Sequence, residues 1–499
     1  MEIEIKLIVY PGDLPAVLKA VGEVASVVEP PAPKRLESRY YDTPSGKLRS
    51  KGMTLRVRRV GQKFIQTVKT KGDGLFTRGE WEQPVASFAP ELEGNADLLT
   101  ETFATDVERN CLVACFPAWR AEPSRIELAM DTGVIRAGRQ ELPVSEVELE
   151  LIEGEPADLF DLGARLAEMV PLQLSIDAKS ARGFRLAEDS PPPSVKADKL
   201  EFPDDVSLEE GMRDSLRACI GQWLANQACA LDGRDPEGVH QMRVALRRLR
   251  SAINFFRDFI PEPPLEEFRE QSKWAANSLG PARDWDVFLL ETLPPVMELW
   301  PEHRGLRALR EGAVRMRDAS YADARVAMAS PAYTVFALRL AGWVERRGWR
   351  AGLSEDRMKA MNRPMTEHAG HLLDRLLDQA MKAGEDFDDL EPEAKHELRI
   401  ALKKLRYASE FFRSLYRRKD VKRFREALTE MLDLLGKLND LTVAKGLCAQ
   451  LMEAGGDEET VVSGTASLLT FHEQRGHVSD KALSKAWDDL RTADPFWRD

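Results

Sequence analysis

Apolar and polar positions alternate with period two along the first 190 or so residues and recur near every 3.6 residues along most of the remainder. The runs Glu2–Val9, Met53–Val60, Phe64–Lys71, Arg78–Val85, Arg125–Asp131 and Val144–Ile152 each set apolar side chains on one face and polar ones on the other. That pattern predicts short β-strands joined by turns, hence an antiparallel sheet or barrel with a few helices. Beyond Ser207 the segments are long and rich in Leu, Ala, Arg and Glu, which predicts an all-helical domain. Between them, Ala187–Ser207 contains Pro191-Pro192-Pro193, charges and few large apolar residues, and reads as a linker. The fold class is therefore α+β, with domains at 1–188 and 207–495 around a linker at 189–206.

Composition narrows the function classes. The formal net charge is −12, so nucleic acid is not an evident partner for the whole chain. No run of about 18 apolar residues marks a membrane span, and no basic-then-apolar leader marks a signal peptide. A cytoplasmic location is expected. Five scattered cysteines lack zinc spacing, and Cys111 and Cys115 read as buried thiols.

The charged faces of the strands carry the chemistry. On the first strand, Glu2, Glu4 and Lys6 alternate with Ile3, Ile5 and Leu7. Carboxylates two residues apart repel by about 2 kcal/mol at an effective dielectric near 20. The strand is either a wet edge or a place where a cation relieves that repulsion. Later strands repeat the device: Arg56 with Arg58, Lys69 with Lys71, Glu80 with Glu82, and Glu146, Glu148 and Glu150. Charges of both signs on many strands fit a barrel whose lumen holds a charged ligand. Basic groups beside clustered carboxylates suggest a polyanion with a divalent ion, and oxygen-only ligands favour Mg2+ or Mn2+. Phosphate chains suit this set best.

These residues resemble the signature of the CYTH superfamily, the triphosphate tunnel metalloenzymes. The matches are Glu2-x-Glu4-x-Lys6, Tyr41-Asp42-Thr43-Pro44, Leu55-Arg56-Val57-Arg58, Arg78-Gly79-Glu80, Glu127 with Asp131, Glu146-Val147-Glu148-Leu149-Glu150 and Lys179-Ser180-Ala181-Arg182-Gly183-Phe184. The resemblance implies an eight-stranded tunnel acting on triphosphates. It assigns the phosphates to Arg56, Arg58, Arg78, Lys179 and Arg182, together with Lys6 and Lys69 as catalytic lysines. It assigns the metal to Glu2, Glu4, Glu146 and Glu148, with Glu80 and Glu150 as further carboxylates. For Arg78, Glu82 and Asp131 a structural salt bridge is an equal reading. The implied activity is hydrolysis of inorganic triphosphate to pyrophosphate and phosphate. Adenylate cyclase, thiamine triphosphatase and a non-catalytic polyphosphate scaffold are the alternatives. No Gly-Lys-Ser/Thr phosphate loop is present, which disfavours a P-loop enzyme.

The helical half contains a repeat at an offset of 156 residues, with 17 of 48 positions identical between 240–287 and 396–443. Duplication of a helical unit explains it, with copies at about 210–340 and 365–495. His240, Arg243, Arg247 and Arg250 lie within an arc of about 80° on one helix, and His396, Arg399, Lys403 and Arg406 repeat the stripe. From His396 to Arg425 there are 11 Lys or Arg against 3 Asp or Glu, an excess that marks an anion-binding surface. The aspartates of Arg283-Asp284 and Asn439-Asp440 read as partners orienting basic residues, or as helix caps. His368 and His371 read as surface. The half resembles the CHAD domain, a helical module with histidine and basic residues in each of two repeats. That resemblance implies binding of polyphosphate chains through the two stripes, and places polyphosphate granules among the expected locations.

Overall fold

The computed structural model describes residues 2–71, 77–91, 99–117, 122–454, 458–475 and 479–498. One antiparallel sheet dominates the first part of the chain. Its strands are β1 (Glu2–Val9), β2 (Ser26–Asp42), β3 (Met53–Val60), β4 (Lys63–Lys71), β5 (Thr77–Val85), β6 (Thr100–Phe116), β7 (Ser124–Ala137), β8 (Gln140–Glu153) and β9 (Leu172–Ser175). Their order is β5-β4-β3-β2-β6-β7-β8-β1-β9. β5 also meets β1 over two residue pairs, Glu2 with Arg78 and Ile3 with Thr77, so β1 to β8 follow one another round to the start at one end. Among the described residues nine strands stand where eight were implied, because β9 adds to the far side of β1.

Of the helices, α1 (Leu14–Val24), α2 (Pro156–Met169) and α3 (Lys179–Glu188) flank the sheet. Later in the chain come α4 (Glu237–Phe255), α5 (Pro331–Glu345), α6 (Pro392–Phe411) and α7 (Arg418–Glu453). Among the described residues no helix is long and apolar enough to cross a membrane.

The chain divides into two compact units: residues 1–196 with 220–242 and 325–348, and residues 197–219, 243–324 and 349–499. In the first unit, Ile5, Leu7 and Val9 are buried on the outer side of β1. A Cβ at Gly163 of α2 would stand 2.9 Å from Ile5 and 3.5 Å from Leu338 of α5, so glycine allows the layers to approach. Arg346 grips Asp161, one nitrogen at 3.1 Å. The open edge of β9 is also covered: Leu174 N–H donates to Thr334 Oγ1 at 3.4 Å, and Gln227 Nε2 donates to the Leu174 carbonyl at 3.1 Å. An unpaired edge would otherwise invite another strand. Asn226 clamps Val195, accepting from its N–H at 2.7 Å and donating to its carbonyl at 2.8 Å.

In the second unit the duplicated Phe-Phe pairs pack on each other. Phe255 lies 5.7 Å from Phe411 and 6.2 Å from Phe412, and Phe256 lies 6.3 Å from Phe412. The readings of three residues change. His368 is not a surface residue: its ring stacks on Phe256 at 5.7 Å, meets Phe259 edge-on, and its Nε2 sits 3.1 Å from the Phe255 carbonyl oxygen. His371 is exposed, as expected. Cys111 and Cys115 are only half-buried, because they lie on the same face of β6 as Arg109 and not on the face of Leu112, Ala114 and Phe116 that is buried.

Candidate active site

Register builds the site. Strands β1, β8 and β7 are adjacent, and three successive inward rows run across them. The first row pairs Glu4 with Glu150 and Glu150 with Glu127. The second pairs Lys6 with Glu148. The third pairs Glu146 with Asp131, and β6 adds Arg109 beside Asp131. Opposed residues on neighbouring strands hold their Cβ atoms about 4.5–5.5 Å apart, so each row is one electrostatic group.

The third and second rows are charge-compensated. Asp131, Glu146 and Glu148 bring carboxylate oxygens within 4.8 Å of one another. Lys179, at the first turn of α3, lies 2.6 Å from Asp131, 2.5 Å from Glu146 and 2.9 Å from Glu148. Arg109 forks onto Asp131 with two bonds of 2.7 Å and reaches Glu148 at 2.5 Å. Arg182 contacts Glu146, and Lys6 lies 3.2 Å from Glu148 and 3.8 Å from Glu146. Burial alone would raise the Glu148 carboxyl, but Lys179, Lys6 and Arg109 hold it well below the usual range. Burial alone would lower Lys179, and Glu148, Glu146 and Asp131 raise it instead.

The first row behaves oppositely. Burial, then the charges of Glu127 and Glu4, push the Glu150 carboxyl upward, with Lys69 opposing. These carboxylates line a cavity of about 160 Å³ with Lys6, Tyr40, Arg58 and Lys69. An oxygen-only row of three adjacent carboxylates fits a hard divalent cation. The Asp131 group would have to give up its ion pairs to take one.

On the facing strands, Lys69 pairs with Glu80 at 2.8 Å, and Arg56 lies 3.5 Å from Glu80 and 3.7 Å from Glu82. Arg58 differs: its Nε donates to Ser38 Oγ at 3.1 Å, and among the described residues it has no ion-pair partner. Burial and the neighbouring Arg56 push it down to about 10. Tyr40, buried and stacked on Phe103 at 4.3 Å, reports the same field. Burial would raise its phenol, yet Arg56, Arg58 and Lys179 together lower it. This end of the cavity is set for an anion.

Sequence-predicted residues therefore separate into two places. Lys6, Glu146, Glu148, Lys179 and Arg182 come together in the compensated cluster, whereas Glu4 lies in the other row. Lys69 and Arg56 share Glu80. The side chains of Glu2 and Arg78 lie outside the described residues. Arg109 and Tyr40 were not anticipated. Arg109 is a single basic residue on β6 with no charged repeat around it, and only its register with Asp131 reveals it.

In the helical part, Arg243 donates to the Ala276 carbonyl at 3.1 Å. Burial lowers Arg243 and raises Asp284, each opposed by the other's charge, so the two face one another. Asn439 and Asp440, the second copy's counterparts, have side chains outside the described residues. Arg247 of α4 and Arg406 of α6 both stand over the Tyr407 ring, at 5.4 and 5.2 Å. Arg247 and His396 are exposed, while Arg250, Arg399 and Lys403 are half-buried; His240, also half-buried, belongs to the first unit.

Comparison with known proteins gives two successive family matches. A CYTH-domain model matches residues 1–184, and a CHAD-domain model matches residues 214–449. The inorganic triphosphatase of Haemophilus influenzae is 34% identical over 167 residues, covering 30% of this chain and 46% of that protein. The chain thus spans about half the length of that curated relative. The crystal structure of the CHAD domain from the plant Ricinus communis matches with a TM-score of 0.53 and 30% identity, covering 60% of this chain and 99% of that one.

Proposed function

We propose that this chain, a CYTH domain followed by a CHAD domain, is a metal-dependent inorganic triphosphatase whose helical domain binds polyphosphate. The observation that carries the reading is the presence, in one cavity, of the Glu4–Glu150–Glu127 row and Arg58, which has no ion-pair partner among the described residues. Carboxylates alone would repel a phosphate chain, and cations alone would not need them. Glu4, Glu127 and Glu150, with Glu148 adjacent, would hold Mg2+ or Mn2+. Such an ion, when bound, neutralises phosphate charge and polarises the phosphorus–oxygen bonds.

The chain's own residues do the rest. Arg58 and Arg56 take non-bridging phosphate oxygens through charge-assisted hydrogen bonds. Lys179 is held by Asp131, Glu146 and Glu148 and supplies fixed positive charge, while Lys6, tethered to Glu148, presents its remaining N–H groups, so both positions are fixed before substrate arrives. Lys69, anchored by Glu80, flanks the same space. The H. influenzae relative is named for inorganic triphosphate, which favours that substrate over a nucleotide or thiamine ester. Water attacks the terminal phosphorus, and pyrophosphate leaves. For the helical domain, the convergence of Arg247 and Arg406 on Tyr407 supports a polyphosphate surface made by both repeats.

Phosphate release from tripolyphosphate by the full chain, with Mg2+ or Mn2+, tests the enzyme. Glu4→Gln and Arg58→Ala should each abolish most turnover; full activity in either, or no release by the native chain, overturns the proposal. Retention on immobilised long-chain polyphosphate tests the surface, and Arg247→Glu with Lys403→Glu should release the protein. Unchanged retention refutes that face.

A further inference from the structure

A larger cavity, about 710 Å³, lies wholly within the second unit along the first half of α7 and against the segment carrying Lys199 and Glu201. It belongs to neither the tunnel nor the two basic stripes. We propose that it binds a nucleoside polyphosphate. Its volume is that of small-molecule sites generally.

The duplication supplies an internal comparison. At the offset of 156 residues, Arg418 and Lys422 replace Glu262 and Glu266, while Arg413 and Arg425 match Arg257 and Arg269. In the first copy those arginines are occupied: Arg269 donates to Asn254 Oδ1 at 3.1 Å and lies 4.0 Å from Glu266, and Arg257 lies 3.8 Å from Asp258. In the second copy, Arg413, Arg418 and Arg425 have no ion-pair partner among the described residues, and Arg425 Nε is buried without an acceptor. All three line the cavity. Guanidinium forks without carboxylates match phosphate oxygens.

The same wall also sets the ligand's other end. Cations occupy positions 418, 422 and 425, and carboxylates occupy 426, 430 and 433. From Arg418 to Asp433 the helix rises about 22 Å. Glu430 and Asp433 accept hydrogen bonds from hydroxyl or amino groups and repel further phosphate. Val421, among the cations, and Leu434, next to Asp433, add apolar contact at the two ends. A ligand with phosphates at one end and a donor-bearing organic body at the other satisfies both ends. A bare polyphosphate chain would carry its charge onto the acids.

The test is calorimetric titration of ATP and of tripolyphosphate into the full chain with metal chelated, in an Arg58→Ala background that weakens tunnel binding. ATP should bind, and more tightly than tripolyphosphate. Arg418→Glu with Lys422→Glu restores the first copy's residues at exposed positions, and should weaken ATP by about tenfold to a hundredfold. Arg425→Gln, an independent variant, should weaken it likewise. In the otherwise native chain, Arg418→Glu with Lys422→Glu should hydrolyse tripolyphosphate at the native rate without nucleotide, which separates this site from the tunnel. Absent ATP binding, ATP affinity indifferent to these variants, or tripolyphosphate bound there as tightly as ATP would each overturn the proposal.

Discussion

Replacing Glu150 with glutamine should make the metal-free protein more stable while crippling its response to metal. Glu150 sits between Glu4 and Glu127, and its two cross-strand neighbours place carboxylates about 5 Å away. Each pair then repels by about 3 kcal/mol at an effective dielectric of 20. Partial exposure of all three side chains and the nearby Lys69 reduce the sum several-fold, to about 1–2 kcal/mol. Glutamine keeps the shape and removes the charge. In EDTA, Glu150→Gln should therefore melt about 3–6 °C above the native protein. Titrating Mg2+ or Mn2+ should raise the native melting temperature and move the variant's little, so the curves cross. Phosphate release should fall in the variant at every metal concentration. A variant less stable than native in EDTA would mean the carboxylate is a structural partner, and an undiminished metal-induced shift would remove it from the metal site.

Three further outcomes follow from particular contacts. Arg58→Ala should cost about tenfold to a hundredfold in kcat/KM, the worth of one charge-assisted bond, with no loss in melting temperature, because no carboxylate is left unpaired; a large fall in stability contradicts this. Gly183→Ala puts a Cβ 2.1 Å from the Phe103 ring and so displaces α3 with Lys179 and Arg182; stability and turnover should fall together, and a silent variant would refute the packing. His368 is pushed below its ordinary value by burial and keeps its neutral ring against the Phe255 carbonyl. The unfolded chain therefore takes up the proton first, and the stability His368 contributes is lost as pH falls below about 6.5. His368→Phe should flatten that part of the stability–pH profile measured by denaturant, and an unchanged slope sinks the assignment.

Much of the architecture was legible because period and charge agreed. β1, β3, β4, β5, β7 and β8 all contain period-two runs, and each was anticipated within a few residues except for the longer ends of β7 and β8. β2 was hidden by Pro30, Pro31 and Pro33, which its register shifts near Glu29 and Ala32 accommodate. β6 was hidden because both of its faces are partly covered, so no clean alternation survives between Cys111 and Phe116. β9 has four residues and takes its place from partners distant in sequence, Thr334 and Gln227 among them. His368 failed for a related reason: its environment is made by Phe256 and Phe259, more than a hundred residues away.

The site shows a sharper limit. Glu146, Glu148 and Glu150 look equivalent in sequence, yet a step of two residues along a strand is about 6–7 Å, enough to exchange every neighbour. At Glu146 the register supplies Asp131, Lys179 and Arg182, and the carboxylate becomes the anchor of a cation cluster. At Glu148 it supplies Lys6 and Arg109, and the carboxylate sits at the boundary. At Glu150 it supplies Glu4 and Glu127, and like charge faces like charge. A motif specifies which residues are acidic, whereas the charges that each acid faces depend on the row it occupies. Those neighbours are a property of strand pairing, and they are why the proposed metal set takes Glu150 and Glu127 and leaves Glu146 out.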